Sequence, residues 1–387
     1  MSELKFSIVI PYKQRLNNIA MVFESLLDQT LDAAEFEVVV GAMEYSEEYV
    51  ATCRNYSDRL TITSVLSAEE WNVSQARNLA LRQATGQVTV ILDADMVLPQ
   101  ALLQTLHDRY FATQQNVCVL GQAIGYDGRV DASNVDHLPF DHYRKLLAGL
   151  GSAEARQDVR WQLDPVPLPW IICWAGLVAL PTATVRAHDL TFDEGFRGWG
   201  GEDQEWGYRI HAAGIPITLG QDVYGMHLPH TRNSTANFAD FTANRRYFLA
   251  KWPSLGVELY QSFPLHESNL FFADAAAKVA AAVDRPGYTL GVVRGRSGDL
   301  DLLVVGVELD CQKTPDPGIH HLFEDGAALE VLPLVGLALP YPDHAIDECR
   351  VLPAIDRLGE RYRDAVLQEA ARVARRVTRP ELSGASR

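Results

Sequence analysis

Two acidic clusters and one histidine pair have the residue types and spacing to do chemistry. The first is Asp93-Ala94-Asp95, which ends the apolar run Val88-Thr89-Val90-Ile91-Leu92. Such a run reads as a buried strand, because both faces of a parallel sheet exclude water. Ligands of open α/β sheets lie outside the carboxyl ends of the strands, where these acids project. Carboxylate oxygens with a free hemisphere suit Mg²⁺ or Mn²⁺ bridging to a diphosphate. The plainer alternative is a strand-end turn in which an Asp caps a helix at Pro99-Gln100-Ala101.

The second cluster is Glu202-Asp203, inside the run Phe192-Asp193-Glu194-Gly195-Phe196-Arg197-Gly198-Trp199-Gly200-Gly201-Glu202-Asp203-Gln204-Glu205. Glycines around one tryptophan let the backbone approach a ligand closely. Acids opening a helix are also stabilised by its dipole, with no ligand needed. A solvated cap, however, has no use for the adjoining Gly-Trp-Gly-Gly. The histidines stand in Met226-His227-Leu228-Pro229-His230, where a further metal ligand would be wanted, although a lone histidine is more often structural. The loop Pro11-Tyr12-Lys13-Gln14-Arg15 offers an aromatic face for a base and cations for a phosphate, or else is a solvated turn.

Elements must position these groups. Strands are expected at Phe6 to Ile10, Phe36 to Val40, Leu60 to Leu66, Val88 to Leu92 and Val117 to Ile124, with helices over about 17–29 and 69–84. This alternation is the signature of a parallel sheet with helices on both faces. Leu168 to Leu180 reads as a further strand whose Trp170 and Trp174 either face a sugar or fill the core. The stretch 127–164 is polar and unassigned, and it is expected to cross the acceptor side. Then come a helix from Glu202 to about Ala213, a short strand at Ile215 to Leu219, and a helix at Phe238 to Trp252 closing the first domain. A connecting helix is expected at Glu258 to Val283, ended by the turn Asp284-Arg285-Pro286-Gly287. Two strands, Tyr288 to Val293 and Leu300 to Val307, and a helix through Leu358, Tyr362, Val366 and Val373 make a small α/β domain. The tail after about 378 is expected to be disordered. The domains are therefore 1–257, a helical linker 258–285, and 286–387.

At 387 residues, 47% of them hydrophobic, two domains are the natural prior. A formal net charge of −16 argues against nucleic acid or an anionic membrane as the main partner. Five scattered cysteines show no paired spacing for zinc or a redox motif and fit a reducing compartment. No run is long enough to span a bilayer, and no signal peptide is expected, so the reading is a soluble cytoplasmic protein.

Residues from about Phe6 to Trp252 resemble a family 2 glycosyltransferase of the GT-A fold, a Rossmann-like, mostly parallel mixed sheet flanked by helices. Ile10-Pro11-Tyr12, Ala76-Arg77-Asn78, Gly86 and Leu92-Asp93-Ala94-Asp95 match its nucleotide-sugar half. Gly198-Trp199-Gly200-Gly201-Glu202-Asp203 matches the motif of the galactosyltransferase and chondroitin-polymerase type. The resemblance implies transfer from a nucleotide sugar, a UDP-sugar by expectation, to a hydroxyl of a glycan or small-molecule acceptor. It implies that Asp93 contacts the ribose and that Asp95, with His227 or His230, binds Mn²⁺ (or Mg²⁺). Pro11, Tyr12, Arg15, Glu44 and Arg77 fall on the nucleotide side, and Trp199, Gly201 and Glu202 on the donor sugar. Asp203 would be the general base; retaining relatives carry Asn there, so the acid implies inversion.

Where the family commonly has an acidic pair after its second strand, this chain reads Val40-Gly41-Ala42-Met43-Glu44. That departure supports an alternative reading, a catalytically silent GT-A module binding nucleotide sugar or glycan as a scaffold. A sugar nucleotidyltransferase would want a glycine-rich loop after the first strand, which Pro11 to Arg15 does not supply. Leu339 to Glu348 and the helix around Leu367 to Val373 are similar to the latter half of a class I methyltransferase. The cofactor loop is missing, with Val305-Gly306-Val307 in its place, so a truncated or degenerate module for a partner or a homodimer is expected.

Overall fold

The computed structural model describes residues 4–125, 138–151, 158, 160, 166–230 and 234–379. Most of the segment 127–164 and the tail from 380 onward lie outside these, and the expectations placed there with them. The chain divides into two compact units, one of residues 1–164 and 169–244, the other of 165–168 and 245–387.

In the first unit β1 (Phe6–Tyr12), α1 (Leu16–Leu27), β2 (Phe36–Ala42), α2 (Glu47–Tyr56), β3 (Ile62–Leu66), α3 (Val73–Leu81) and β4 (Val88–Leu92) alternate as expected of a parallel sheet. Then follow β5 (Met96–Val97), α4 (Leu102–Leu106), β6 (Cys118–Ile124), α5 (Phe140–Gly149), β7 (Leu177–Pro181), α6 (Thr182–Ala187), α7 (Glu202–Ala212), β8 (Ile217–His227) and α8 (Ser234–Lys251), the last counted to this unit only as far as Asn244. The sheet order is β3-β2-β1-β4-β7-β6-β8-β5. β3, β2, β1 and β4 are parallel, and so are β6 and β8. β7 runs against both β4 and β6, and β5 runs against β8. The sheet is therefore mixed and helix-flanked. Every residue of β1, β2 and β4 is buried, which explains their largely apolar character; the exceptions are paired, Ser7 donating to Glu37 at 2.6 Å and Thr89 bonding Thr182 at 2.9 Å. Their core packs Ile8, Ile10, Val38, Val40, Val90 and Leu92 with Ile19, Val22 and Phe23 of α1.

The structure departs from the sequence expectation in four places. Helix α2 is not among the expected elements; Tyr49 is buried in it with Val50, Cys53 and Tyr56 packed beside the core, and Ser46 starts it by accepting the Tyr49 N–H at 3.0 Å. The run from Leu168 is not one strand: Pro169–Ile172 form a 3₁₀ turn and β7 begins at Leu177. β8 reaches His227, well past Leu219, after a register shift against β6 between Leu120 and Gln122. The connecting helix is broken by Phe263-Pro264 into α9 (Leu255–Ser262) and α10 (Leu265–Ala282).

The second unit holds α9, α10, β9 (Thr289–Ser297), β10 (Leu300–Leu309), β11 (Glu330–Leu332), β12 (Ile346–Val351), α11 (Glu360–Val373) and β13 (Ala374–Thr378). Its sheet order is β11-β9-β10-β12-β13, with β10, β12 and β13 parallel and β9 a hairpin partner of β10. Residues 245–257 and 258–285, expected as domain end and linker, belong to this unit. Phe248, Leu249, Val257 and Leu259 among them are fully buried, as no exposed linker would be. Gly306 lies inside β10 at a register shift, so the place of a cofactor loop is a bulged strand. Among the described residues no helix is long and apolar enough to cross a membrane.

Candidate active site

The chain leaves β4 through a tight turn in which the Met96 N–H donates to the Asp93 carbonyl at 3.1 Å. Met96 then pairs with His227 across β5 and β8, and the Leu228 N–H donates to the Asp95 carbonyl at 2.7 Å. Backbone register thus brings the strand-end acid to the histidines. Asp95 is fully buried; its Oδ1 lies 3.5 Å from His227 Nε2 and its Oδ2 3.1 Å from His230 Nδ1. Arg15 Nη1 also pairs with Asp95 Oδ2. One atom from each of Asp95, His227 and His230 falls within 4.8 Å of the others, so both histidines join the acid in one candidate metal group. One carboxylate with two imidazoles is nitrogen-rich for Mg²⁺ and suits Mn²⁺ better.

Helix α3 carries the link to the second cluster. Asn72 caps it, its side-chain oxygen accepting the Gln75 N–H at 3.1 Å. The same amide donates to the carbonyls of Glu194 and Phe196 at 3.0 and 3.1 Å. Asn78 donates to the Phe192 carbonyl and accepts the Phe192 N–H, both at 2.8 Å. Between them Arg77 is buried over the Phe192 ring at 4.8 Å. Its Nη2 donates to Asp93 Oδ1 at 3.2 Å, and its Nη1 to Glu202 Oε1 and Asp203 Oδ1 at 3.3 and 2.8 Å. The second oxygen of Asp203 accepts the Ala175 N–H at 2.9 Å. One guanidinium therefore joins the strand tip to the first turn of α7.

Three carboxylates face that one cation. Burial pushes the Glu202 carboxyl upward and the Asp203 charge adds to it, while Arg77 pulls it down. Burial also raises Asp93 against the pull of Arg77, with Asp95 and Asp203 contributing. Burial disfavours the charge on Arg77, but the three acids outweigh it and hold the guanidinium protonated.

The turn before α7 is held by α8. Asn244 accepts the Arg197 N–H at 3.2 Å and donates to the carbonyls of Arg197 and Gly200 at 2.8 and 2.7 Å. Gly201 occupies the helix N-cap with φ +93°, a left-handed conformation that lets Glu202 and Asp203 turn back toward Arg77.

Several expected residues land elsewhere than their anticipated roles require. Tyr12 is 1% exposed and stacks on Tyr49 with centroids 4.3 Å apart, so its ring is not open to a base; Pro11 is buried too. Arg77 is committed to the acids and does not stand open to a nucleotide. Glu44 accepts the Gln14 N–H at 2.8 Å beside the Tyr12 end of β1. Trp199 is 46% exposed. Asn78 stands in the motif Ala76-Arg77-Asn78 without a role of its own, and Asn72 and Asn244 are not among the expected site residues; the N-cap position of Asn72 is the one available signal. Gly41, where the family's acidic pair is absent, lies under α3: a Cβ there would meet the Ala76 carbonyl oxygen at 1.8 Å.

A family model described as glycosyl transferase family 2 matches residues 7–155. Validoxylamine A glucosyltransferase of Streptomyces hygroscopicus subsp. jinggangensis (strain 5008) is 29% identical, covering 98% of this chain and 97% of that protein. Chondroitin synthase of Escherichia coli is 29% identical over 59% of this chain and 36% of that protein. Among solved structures, S. aureus TarS aligns with TM-score 0.49 and 16% identity, over 73% of this chain and 46% of that one. Mannosyltransferase PcManGT from Pyrobaculum calidifontis, in complex with GDP-Man and Mn²⁺, aligns with TM-score 0.46 and 20% identity over 74% and 77%.

Proposed function

We propose that the chain is a family 2 glycosyltransferase that carries out an inverting, metal-dependent transfer from a UDP-sugar to an acceptor hydroxyl. The observation that carries the reading is the Arg77 bridge, which sets Asp93 and the pair Glu202 and Asp203 around one guanidinium. An acidic strand tip and a glycine-tryptophan turn so joined can serve one donor and one acceptor.

Asp203 is the general base. Arg77 and the Ala175 N–H each hold one of its oxygens, which fixes the carboxylate without neutralising it. The acceptor proton passes to Asp203 as the acceptor oxygen bonds to the anomeric carbon from the face opposite the leaving group. The bond from that carbon to the diphosphate oxygen breaks, and its electron pair departs with the nucleoside diphosphate. Asp95, His227 and His230 would hold Mn²⁺, which supplies Lewis-acid stabilisation of that diphosphate. Glu202 accepts hydrogen bonds from hydroxyls of the donor sugar, and Asp93 meets the ribose. The relative that covers nearly the whole chain is named a glucosyltransferase, so UDP-glucose is the first donor to test. The second unit serves as a partner-binding or dimerising module, and five free cysteines accord with a cytoplasmic protein.

Replacement of Asp203 by Asn should lower turnover by about 10²–10⁴-fold while nucleotide-sugar affinity, read by calorimetry, holds. Near-wild-type turnover would remove the base assignment. The silent-scaffold alternative rested on the stretch Gly41-Ala42-Met43, of which close packing against Ala76 accounts for Gly41.

A further inference from the structure

We infer that Trp199, Phe238 and Phe241 form an aromatic platform that seats a saccharide ring of the acceptor beside Asp203. The inference rests on the transferase reading and deepens it. Phe238 is 73% exposed and Trp199 46%, large apolar surfaces left in water. Phe238 and Phe241 are three residues apart on α8, hence on one helix face. The rings of Phe241 and Trp199 lie 5.7 Å apart at 59°.

The exposed tryptophan is not loose. Its N–H donates to Asp240 Oδ2 at 3.3 Å, and Asn244, one helical turn along α8, grips the carbonyls on either side of it. A single helix thus supplies two of the three rings and fixes the third. From Trp199 the chain runs through Gly200 and Gly201 straight to Glu202 and Asp203. Four residues span on the order of 14 Å at full stretch, so the platform lies within reach of a ring whose hydroxyl meets Asp203.

The chemistry selects the occupant. A saccharide ring offers an apolar C–H face to an aromatic surface and hydroxyls at its rim. Asp240 lies between the two phenylalanines in sequence and provides a carboxylate for such a rim hydroxyl. The donor's nucleotide is served from the other end of the Arg77 bridge, at Asp93 and the group around Asp95. The platform is therefore the acceptor's.

The test compares wild type with Phe238→Ala, Phe238→Tyr and Phe241→Leu, using UDP-glucose, Mn²⁺ and a panel of methyl glycosides and disaccharides as acceptors. The expected result for Phe238→Ala and Phe241→Leu is a rise of roughly three- to tenfold in acceptor KM, with kcat and UDP-glucose affinity held and Phe238→Tyr restoring KM. An unchanged acceptor KM in Phe238→Ala would overturn the platform and leave the transferase reading standing. Saturation-transfer NMR of the same glycosides separates the remaining cases. Glycoside contact with the aromatic protons, lost in Phe238→Ala, in a protein that releases no UDP would keep the saccharide surface and sink the transfer. No contact and no release would sink both. A shift in sedimentation caused by Phe238→Ala alone would instead assign the patch to a second copy of the chain and overturn the proposal.

Discussion

Two buried glutamates, one in each unit, differ in the kind of partner that holds them. Glu202 opens α7 beside Asp203, its partner a guanidinium shared with two other acids. Glu258, in α9, is fully buried and accepts the N–H groups of Val335, Gly336 and Leu337 at 2.8, 2.8 and 3.0 Å. Burial pushes both carboxyls upward. Backbone donors are fixed in place and saturate both oxygens of Glu258, whereas a side-chain cation divided among three acids leaves negative charge over. That surplus is what a hydroxyl proton or a bound cation can use. Burial and a displaced pKa alone would nominate both residues; the kind of partner tells them apart.

The strongest way to break the comparison is Arg77→Met. It leaves three carboxylates facing one another without their cation, and the first unit should lose about 3–5 kcal/mol in denaturant unfolding. A loss below about 1 kcal/mol would mean the acids repel little and the bridge is not the organiser.

Glu258→Gln comes next. Its amide would turn an N–H toward backbone donors, and about 1–3 kcal/mol should go from the second unit without any change in nucleotide-sugar affinity. The same residue gives a pH signature. Its carboxyl is raised from 4.5 to about 8, so the folded chain binds the proton more tightly than the unfolded one. The contribution is whole below about pH 4.5 and is lost as pH rises toward about 8. Melting temperature should therefore fall across that window in wild type and fall less in Glu258→Gln. Parallel curves would show a carboxylate that stays ionised in its backbone cradle.

The smallest effect sharpens the contrast from the exchangeable side. Arg15 pairs with Asp95 where Mn²⁺ would bind, and it is partly exposed. Arg15→Gln should tighten Mn²⁺ binding by no more than about fivefold, read by calorimetry without nucleotide. Weaker binding would mean that Arg15 supports the ion and does not compete with it.

Much of the first unit was legible in the sequence, because strands buried on both faces are mostly apolar, broken here only by the paired Ser7, Glu37 and Thr89. Asp95, His227 and His230 were legible as a set through the chemistry of their side chains. The device that unites them was not, since it is the pairing of Met96 with His227 in a two-residue strand too short to carry a pattern. Arg77 was picked out, but its partners were misjudged: spacing along the chain does not reveal that residues 93, 202 and 203 converge on it. Tyr12 is a similar case, since spacing along the chain does not reveal that its ring stacks on Tyr49 of α2. Asn72, Asn78 and Asn244 act through backbone groups of distant turns, a use of asparagine that no local rule marks.

Gly41 sets a limit on how this pocket could be redesigned. With the Ala76 carbonyl 1.8 Å from where its Cβ would stand, any side chain introduced there must lift α3. Lifting α3 moves the next residue along, Arg77, and with it the three acids. An acid grafted onto the tip of β2 would therefore disturb Asp93, Glu202 and Asp203 before it could meet any ligand.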